Sequence, residues 1–404
     1  MLPGVPGFTE TPLSTVGGGL YRWRMELTRE QVLRFRVRAQ GLDAEPDSRP
    51  ATDVPVLQLG VQETGPDGAG WALAVRGGRA GGDDLVMLWS LRGAPHAYRR
   101  SEAGDVALRL LPLSHADAAS RIFDASRPLA AEGVPAGEGL ARMAEAMRAL
   151  VDRPMVKGEV STELSKVLPP PFLRWCVPCQ ATHPYEQTFR LGAMFGGIEL
   201  EPDTSPPVLR PIAGWRFDPD ALRGLPQSAP TSGDVPGDRL LLAAVHLTGP
   251  VGATDLARFL DGPVKDVKAR VAALRADGRL VDVRVGGVSS LAVGEDLAEL
   301  DGGAAGSSPV RLLGPYDLFL QVRDRRLLVP DTARHKEFWP VLGRPGGVLA
   351  GTEIVGTWRP RASGKRLKLL LEPWRSWPAR LEREVQAEAE RLARFRGLEY
   401  AGRA

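Results

Sequence analysis

The sequence predicts an α+β protein built from tandem winged-helix modules and a C-terminal β-rich, small barrel-like domain. Three observations predict it. A helix–helix–helix–hairpin pattern runs from Arg239 to Val293, a similar helix–turn–helix spacing recurs from Glu138 to the triple proline at 169–171, and short alternating apolar stretches fill 310–372. With 404 residues the chain exceeds what one hydrophobic core organises. The expected boundaries are 1–135, an N-terminal winged-helix-like module with a Gln62 hairpin; 136–235, a second such module; 236–300, a third winged helix; and 305–404, the β-rich domain with a terminal helix.

Taken in order, 1–20 is rich in Gly, Pro, Ser and Thr and is expected to be an extended arm. Thr28 is placed to cap a basic helix through about Gln40, carrying Arg29, Arg34, Arg36 and Arg38. Residues 84–91 alternate as a strand, and Leu140, Met143, Ala144, Met147 and Leu150 share one helix face. Ser161 is expected to cap a short helix over 163–168. Residues 202–237 read as a linker. In the third module, Arg239–Leu247 is a helix stopped by Gly249-Pro250, and Thr254 is the expected cap of Asp255–Leu260. Pro263 opens a third helix on which Val264, Val267, Val271 and Leu274 face one way, with Lys265, Lys268 and Arg275 on the other. Val281, Val283 and Val285 then alternate toward a Gly286-Gly287 turn and a returning strand, a wing beside which Arg284 can meet phosphate. Residues 301–309 read as a Gly/Ser linker. Strands are expected at 310–313, 318–320, 326–329, 347–350, 353–358 and 367–372, followed by a charged helix over 380–395.

Composition excludes several classes. There is no apolar run of membrane-spanning length and no basic-then-apolar leader, and two cysteines make no disulfide framework, so a cytoplasmic, monomeric protein is expected. The net charge of +3 suits nucleic acid without requiring it. No P-loop, dinucleotide-binding glycine pattern or Ser–His–Asp order is present.

Three stretches carry a resemblance. Leu59-Gly-Val-Gln-Glu-Thr64, leading to Trp71-Ala-Leu-Ala-Val-Arg76, is similar to a Gly-x-Gln-x-Asp/Gln hairpin. Trp89-Ser-Leu-Arg-Gly-Ala-Pro-His96 is similar to Trp-x-x-Arg-Gly-Thr-x-His. Leu313-Gly-Pro-Tyr-Asp317, Arg323, Arg325, Gly347–Gly351 and Ile354–Arg359 follow a third pattern. In this order they resemble the tandem winged-helix family that includes the AlkZ-like and YcaQ-like DNA glycosylases, over roughly 28–375. The resemblance implies a concave surface for double-stranded DNA and a catalytic role for Gln62, whose family counterpart positions the hydrolytic water. It also implies a second functional position at Thr64, where the family has Asp or Gln. Thr64 is a poor general base, and Glu63, on a strand, points to the other face. Gln62, Glu63 and Thr64 are nonetheless the catalytic candidates, and a polar turn is the blander reading of the three. Arg92 and His96 are candidate DNA contacts from the second stretch, joined by Arg34, Arg38, Lys265, Lys268, Arg275 and Arg284.

Cys176-Val-Pro-Cys179 with His183 can supply three ligands of a structural zinc, with a fourth from Glu186 or elsewhere; buried reduced cysteines or a redox pair are the alternatives. No other cofactor is expected. Function then reads as a glycosylase hydrolysing the N-glycosidic bond of alkylated or bulky-adduct bases. The alternative is a non-catalytic winged-helix DNA-binding protein, either a regulator or a lesion-shielding factor.

Overall fold

The computed structural model describes residues 25–65, 67–79, 83–302 and 309–404. The expected N-terminal arm and most of the Gly/Ser linker lie outside these residues. The chain is α+β, as the apolar periodicities require. Among the described residues no helix is long and apolar enough to cross a membrane.

The middle of the chain is built on the Ala136–Leu150 helix, whose Leu140, Met143, Ala144 and Met147 are fully buried. Against it lie the Lys157–Val167 and Glu186–Phe195 helices, and beside them a sheet in the order Ile198–Leu200, Val208–Pro211, Met155–Val156. The Lys157–Val167 helix starts four residues before the expected Ser161 cap, leaving Ser161 inside it. Helical spacing of Val160 and Leu164, both buried, extends the pattern backwards. Between these two helices the chain makes a hairpin of Leu173–Cys176 and Ala181–Pro184.

The next unit consists of helices Asp238–Thr248, Ala253–Leu260 and Val264–Ala276, then the Leu280–Val285/Val288–Val293 hairpin. Val251, between the first two helices, bridges antiparallel to Leu291, and Glu26–Leu27 pairs parallel to the hairpin's other edge. Gly252, not Thr254, caps the second helix. Val267, Val271 and Leu274 are buried as the spacing requires, whereas Val264 at the helix start is exposed. Each such buried aliphatic chain contributes about 1.5–3 kcal/mol of transfer free energy.

The C-terminal sheet runs Val310–Leu313, Gly346–Ala350, Glu353–Ser363, Arg366–Pro373, Glu399–Arg403, antiparallel except for the last, parallel pair. The Ala379–Phe395 helix covers it with Val385, Ala389, Leu392 and Ala393. Two expected strands here are something else. The Asp317 carboxylate accepts from the Phe319 backbone N–H, which starts a 3-10 turn at Leu318–Leu320, and Arg325–Leu328 is a short helix.

The basic helix Arg29–Ala39 is capped by Thr28, as its sequence predicts, and Gln31 completes a capping box. Its arginines do not form a free cationic face. Arg36 is buried and donates to the Gly249 and Pro250 carbonyls and to Asp324, while Arg29 reaches the Leu327 and Leu328 carbonyls and Glu353. The helix therefore clips the three-helix unit to the C-terminal domain.

Candidate functional site

The strand Val61–Gln62 is short because its neighbour demands it. Gly60 has a φ of +79°, and a Cβ there would lie 2.3 Å from the Tyr98 ring. The strand pairs with Ala97 and His96 of Pro95–Arg99, not with its own continuation, so no local hairpin forms around Gln62. Val61 enters the core and Gln62 faces out, half-buried. Glu63 then leaves the strand and turns its carboxylate onto the start of the Gly68–Ala74 helix, accepting from the N–H groups of Gly68 (2.6 Å), Thr64 (3.0 Å) and Ala69 (3.2 Å). Burial raises its pKa, and these three donors oppose the rise. Thr64 Oγ1 is buried without a hydrogen-bond partner. Neither Glu63 nor Thr64 lines the cleft that Gln62 faces.

That cleft, of about 270 Å³, lies between the N-terminal module and the C-terminal domain. Its centre is Arg92, on a turn where Arg92 and Gly93 both have positive φ. The guanidinium donates to the Phe259 carbonyl (2.9 Å), to Gln62 Oε1 (3.3 Å) and to Gln321 Oε1 (2.7 Å). Gln321 in turn donates to the Tyr316 carbonyl. Two carboxamides from distant parts of the chain thus converge on one cation. Arg190 holds the Arg92 turn from behind through the Gly93 carbonyl at 2.9 Å.

Arg323, Arg325 and Arg344 complete the wall with Tyr316 and Trp339. Arg325 lies over the Trp339 ring at 4.9 Å and Arg344 over Tyr316 at 4.9 Å. Among the described residues none of these three arginines has a carboxylate partner within ion-pair distance, and Arg323 Nε is buried with no acceptor. Their crowding is visible in their acidities. Burial and the Arg323 charge draw Arg92 down to about 10, and burial and Arg344 lower Arg323. An anion entering this cleft relieves both the desolvation and the repulsion.

His96 is fully enclosed beneath Gln62. Its Nδ1 lies 2.9 Å from the Ala94 carbonyl and 3.0 Å from Ser90 Oγ, so Nδ1 carries the proton. Burial, then the Arg92 charge, pushes its pKa down to about 3, leaving a neutral ring. It borders a small cavity of about 10 Å³ shared with Gln62, Arg92 and Gln321. Its place is therefore the floor of the site, with no exposed surface to offer DNA. Below, Arg76 forms a fully buried bidentate pair with Asp317 (2.7 Å to each oxygen) and also donates to Gln40 at 2.9 Å. This pair fastens the helix that follows Gln62 to the turn that carries Gln321.

The remaining candidate DNA contacts scatter. Lys265 and Lys268 are exposed on the Val264–Ala276 helix. Arg275, expected beside them, pairs instead with Asp282, and Arg270 turns inward to a buried pair with Asp238 at 2.6 Å. Arg34 pairs with Glu30, Arg38 with Glu299 (3.1 Å) and Arg284 with Glu26 (3.4 Å), so Arg34, Arg38, Arg275 and Arg284 already have acidic neighbours. Cys176, Cys179 and His183 cluster on the Leu173–Pro184 hairpin, away from the residues lining the cleft. Glu186, the suggested fourth ligand, is taken by Lys157 (2.8 Å) and Arg190 (2.7 Å). Gln321, Arg344 and Trp339 are the functional candidates that sequence reasoning missed, and Tyr316 stood in a matched segment without being singled out. Arg323 and Arg325 stood in a matched segment, but nothing local marks Gln321 two residues earlier as a partner of Gln62.

No curated protein matches the sequence. Among solved structures, Streptomyces sahachiroi DNA glycosylase AlkZ has the same fold, with a TM-score of 0.68 over 94% of this chain and 100% of that one at 19% identity. The model of the DNA glycosylase AlkZ-like family matches residues 58–395, a span holding Gln62, Arg92, His96, Gln321 and the whole arginine-lined cleft, and the chain belongs to that family of DNA repair glycosylases.

Proposed function

We propose that the protein binds double-stranded DNA and hydrolyses the N-glycosidic bond of alkylated or bulky-adduct bases. The observation that carries this reading is the convergence of Gln62 and Gln321 on Arg92 at the floor of a cleft walled by Arg323, Arg325 and Arg344, which among the described residues have no carboxylate within ion-pair distance. The modules 136–211 and 238–293 act as winged helices in this reading. In each, a helix is followed by a short strand or bridge that pairs with the later strands. Lys265 and Lys268 then face phosphate from the third helix of the second unit.

Alkylation at N7 puts a positive charge on the purine. The bond to C1′ breaks with its electron pair leaving on the base, which departs neutral, and the cationic sugar carbon is captured by water, which releases its extra proton to solvent. A leaving group activated in this way needs no general acid, and a carboxamide suffices to orient the water. Gln62 is held through one lone pair of Oε1 by Arg92, leaving its amide and second lone pair to the water. Gln321 provides the second amide that position 64 lacks. Arg323, Arg325 and Arg344 hold the flanking phosphates, with Arg325 and Arg344 steadied by the Trp339 and Tyr316 rings.

Excision of N7-methylguanine from duplex DNA tests this. Gln62→Ala and Gln321→Ala are each expected to slow release by ~10²-fold while binding persists. The binding-protein reading is favoured by Thr64 in place of a carboxylate or amide and by the engagement of Glu63 in helix capping. It prevails if wild type and both variants release base only at the spontaneous depurination rate.

A further inference from the structure

We propose a zinc site at Cys176, Cys179 and His183, with three protein ligands and a fourth position open to water. Their ligand atoms lie within 4.8 Å of one another. Around a tetrahedral zinc, sulfur and imidazole ligands at roughly 2.3 and 2.0 Å sit about 3.4–3.8 Å apart, so closure needs shifts of about 1 Å, within reach of side-chain rotation.

The backbone prepares this geometry. In the hairpin, Cys176 pairs with Ala181 and Arg174 with His183, so strand alternation puts Cys176 and His183 on one face as diagonal neighbours. After Cys179 the chain reverses at Gln180, whose φ is +51°, which brings the second sulfur back over the first. His183 Nδ1 lies 2.9 Å from the Pro184 carbonyl, which can only accept, so the proton sits on Nδ1 and Nε2 is left for a metal. A ligating imidazole is ordinarily oriented by such a bond from its other nitrogen.

The alternatives account for less. Cys179 is exposed and Cys176 half-buried, so neither fills a core. A disulfide would use two members of the cluster and leave the oriented histidine unexplained. The hairpin also lacks a core of its own: Trp175 is 59% and Val177 68% exposed at its end. A two-stranded hairpin of this kind is marginal without a staple, and a metal bound to both strands and the turn provides one. Two thiolates with one zinc ion carry no net charge.

The test uses the full-length chain, reduced and stripped of metal, titrated with cobalt(II) and then zinc. Thiolate-to-cobalt charge-transfer absorption should saturate at about one equivalent and be displaced by zinc. Cys179→Ser and His183→Ala should lower zinc content from about one per chain to near zero with circular dichroism unchanged. His183→Cys should keep the metal and intensify the charge-transfer band. Absence of the band in reduced wild type, or equal zinc content in wild type and Cys179→Ser, overturns the site. A Cys176–Cys179 disulfide that re-forms in the presence of zinc also overturns it.

Discussion

A carboxamide neither gives nor takes a proton at neutral pH, so Gln62 can position water but cannot activate it. That limit makes its surroundings decisive. Thr64→Asp tests whether a carboxylate restores the missing function. Because Thr64 does not line the cleft and Glu63 is bound to the helix start, an increase in N7-methylguanine excision is expected to stay below ~10-fold, far short of what a well-placed base gives. A larger increase means that this backbone turns inward when DNA binds. His96 makes a separate prediction. Below 6.5 the unfolded chain takes up a proton at this position that the folded chain refuses until the pH nears 3. Stability should therefore fall as pH drops through that window, by up to about 1.4 kcal/mol per pH unit. His246, held by Asp296, has its pKa raised and works the other way, stabilising the protein at low pH and losing that contribution as pH rises above its folded value. Urea unfolding at pH 7, 6 and 5 should show a shallower acid loss in His96→Asn than in wild type; parallel curves would mean that His96 is protonated in the fold.

At the scale of elements, the Gly68–Ala74 helix and the Leu318–Leu320 turn carry the two halves of the site, and one ion pair joins them. Arg76 and Asp317 are both 0% exposed. Arg76→Met leaves a buried carboxylate without its partner, expected to cost about 3–5 kcal/mol in thermal or urea unfolding and to loosen Gln321 from Arg92. A loss below about 1 kcal/mol would show that water reaches Asp317. The loop after Trp339 carries a different prediction. Val341 and Leu342 are 88% and 86% exposed in the stretch between Trp339 and Arg344, two residues that line the cleft. Apolar side chains in such a place can wedge between base steps. Replacing both by Ser should leave stability within about 0.5 kcal/mol. It should slow excision from duplex more than from single-stranded DNA, where no stacking has to be broken; an equal effect on both substrates counts against a wedge.

Across the whole molecule, charge is distributed unevenly. Of the arginines that crowd the sequence between 29 and 38, Arg29 and Arg36 join domains, while the cleft collects cations from three separate segments, at 92, 323–325 and 344. DNA affinity should fall with salt, and replacing Arg323, Arg325 and Arg344 by Gln should flatten the log–log slope by about 0.9 for each phosphate that is no longer neutralised. Lys265→Gln with Lys268→Gln should flatten it independently if the third helix of that unit lies on DNA. If salt slopes stay unchanged in both sets, neither surface is the DNA face.

The elements legible in the sequence were those governed by neighbours a few residues away. The Thr28 cap, the buried stripe of the Ala136–Leu150 helix, the Val281–Val293 hairpin and the C-terminal strands at 310–313 and 367–372 follow from hydrogen bonds and apolar periods that span a turn or a strand pair. The order of three short motifs also pointed to the family, and Gln62 and Arg92 fall together in one cleft. Tertiary structure alone decided which charges are free. A sequence shows Arg36 and Arg344 as equal cations, yet one is neutralised by Asp324 across the molecule and the other stacks on Tyr316 with no carboxylate in ion-pair range among the described residues. It likewise decided that Glu63 caps a helix and that Gln321 meets Gln62. Such pairings depend on where distant segments are brought together by packing of their apolar faces, and no local rule of spacing contains that information.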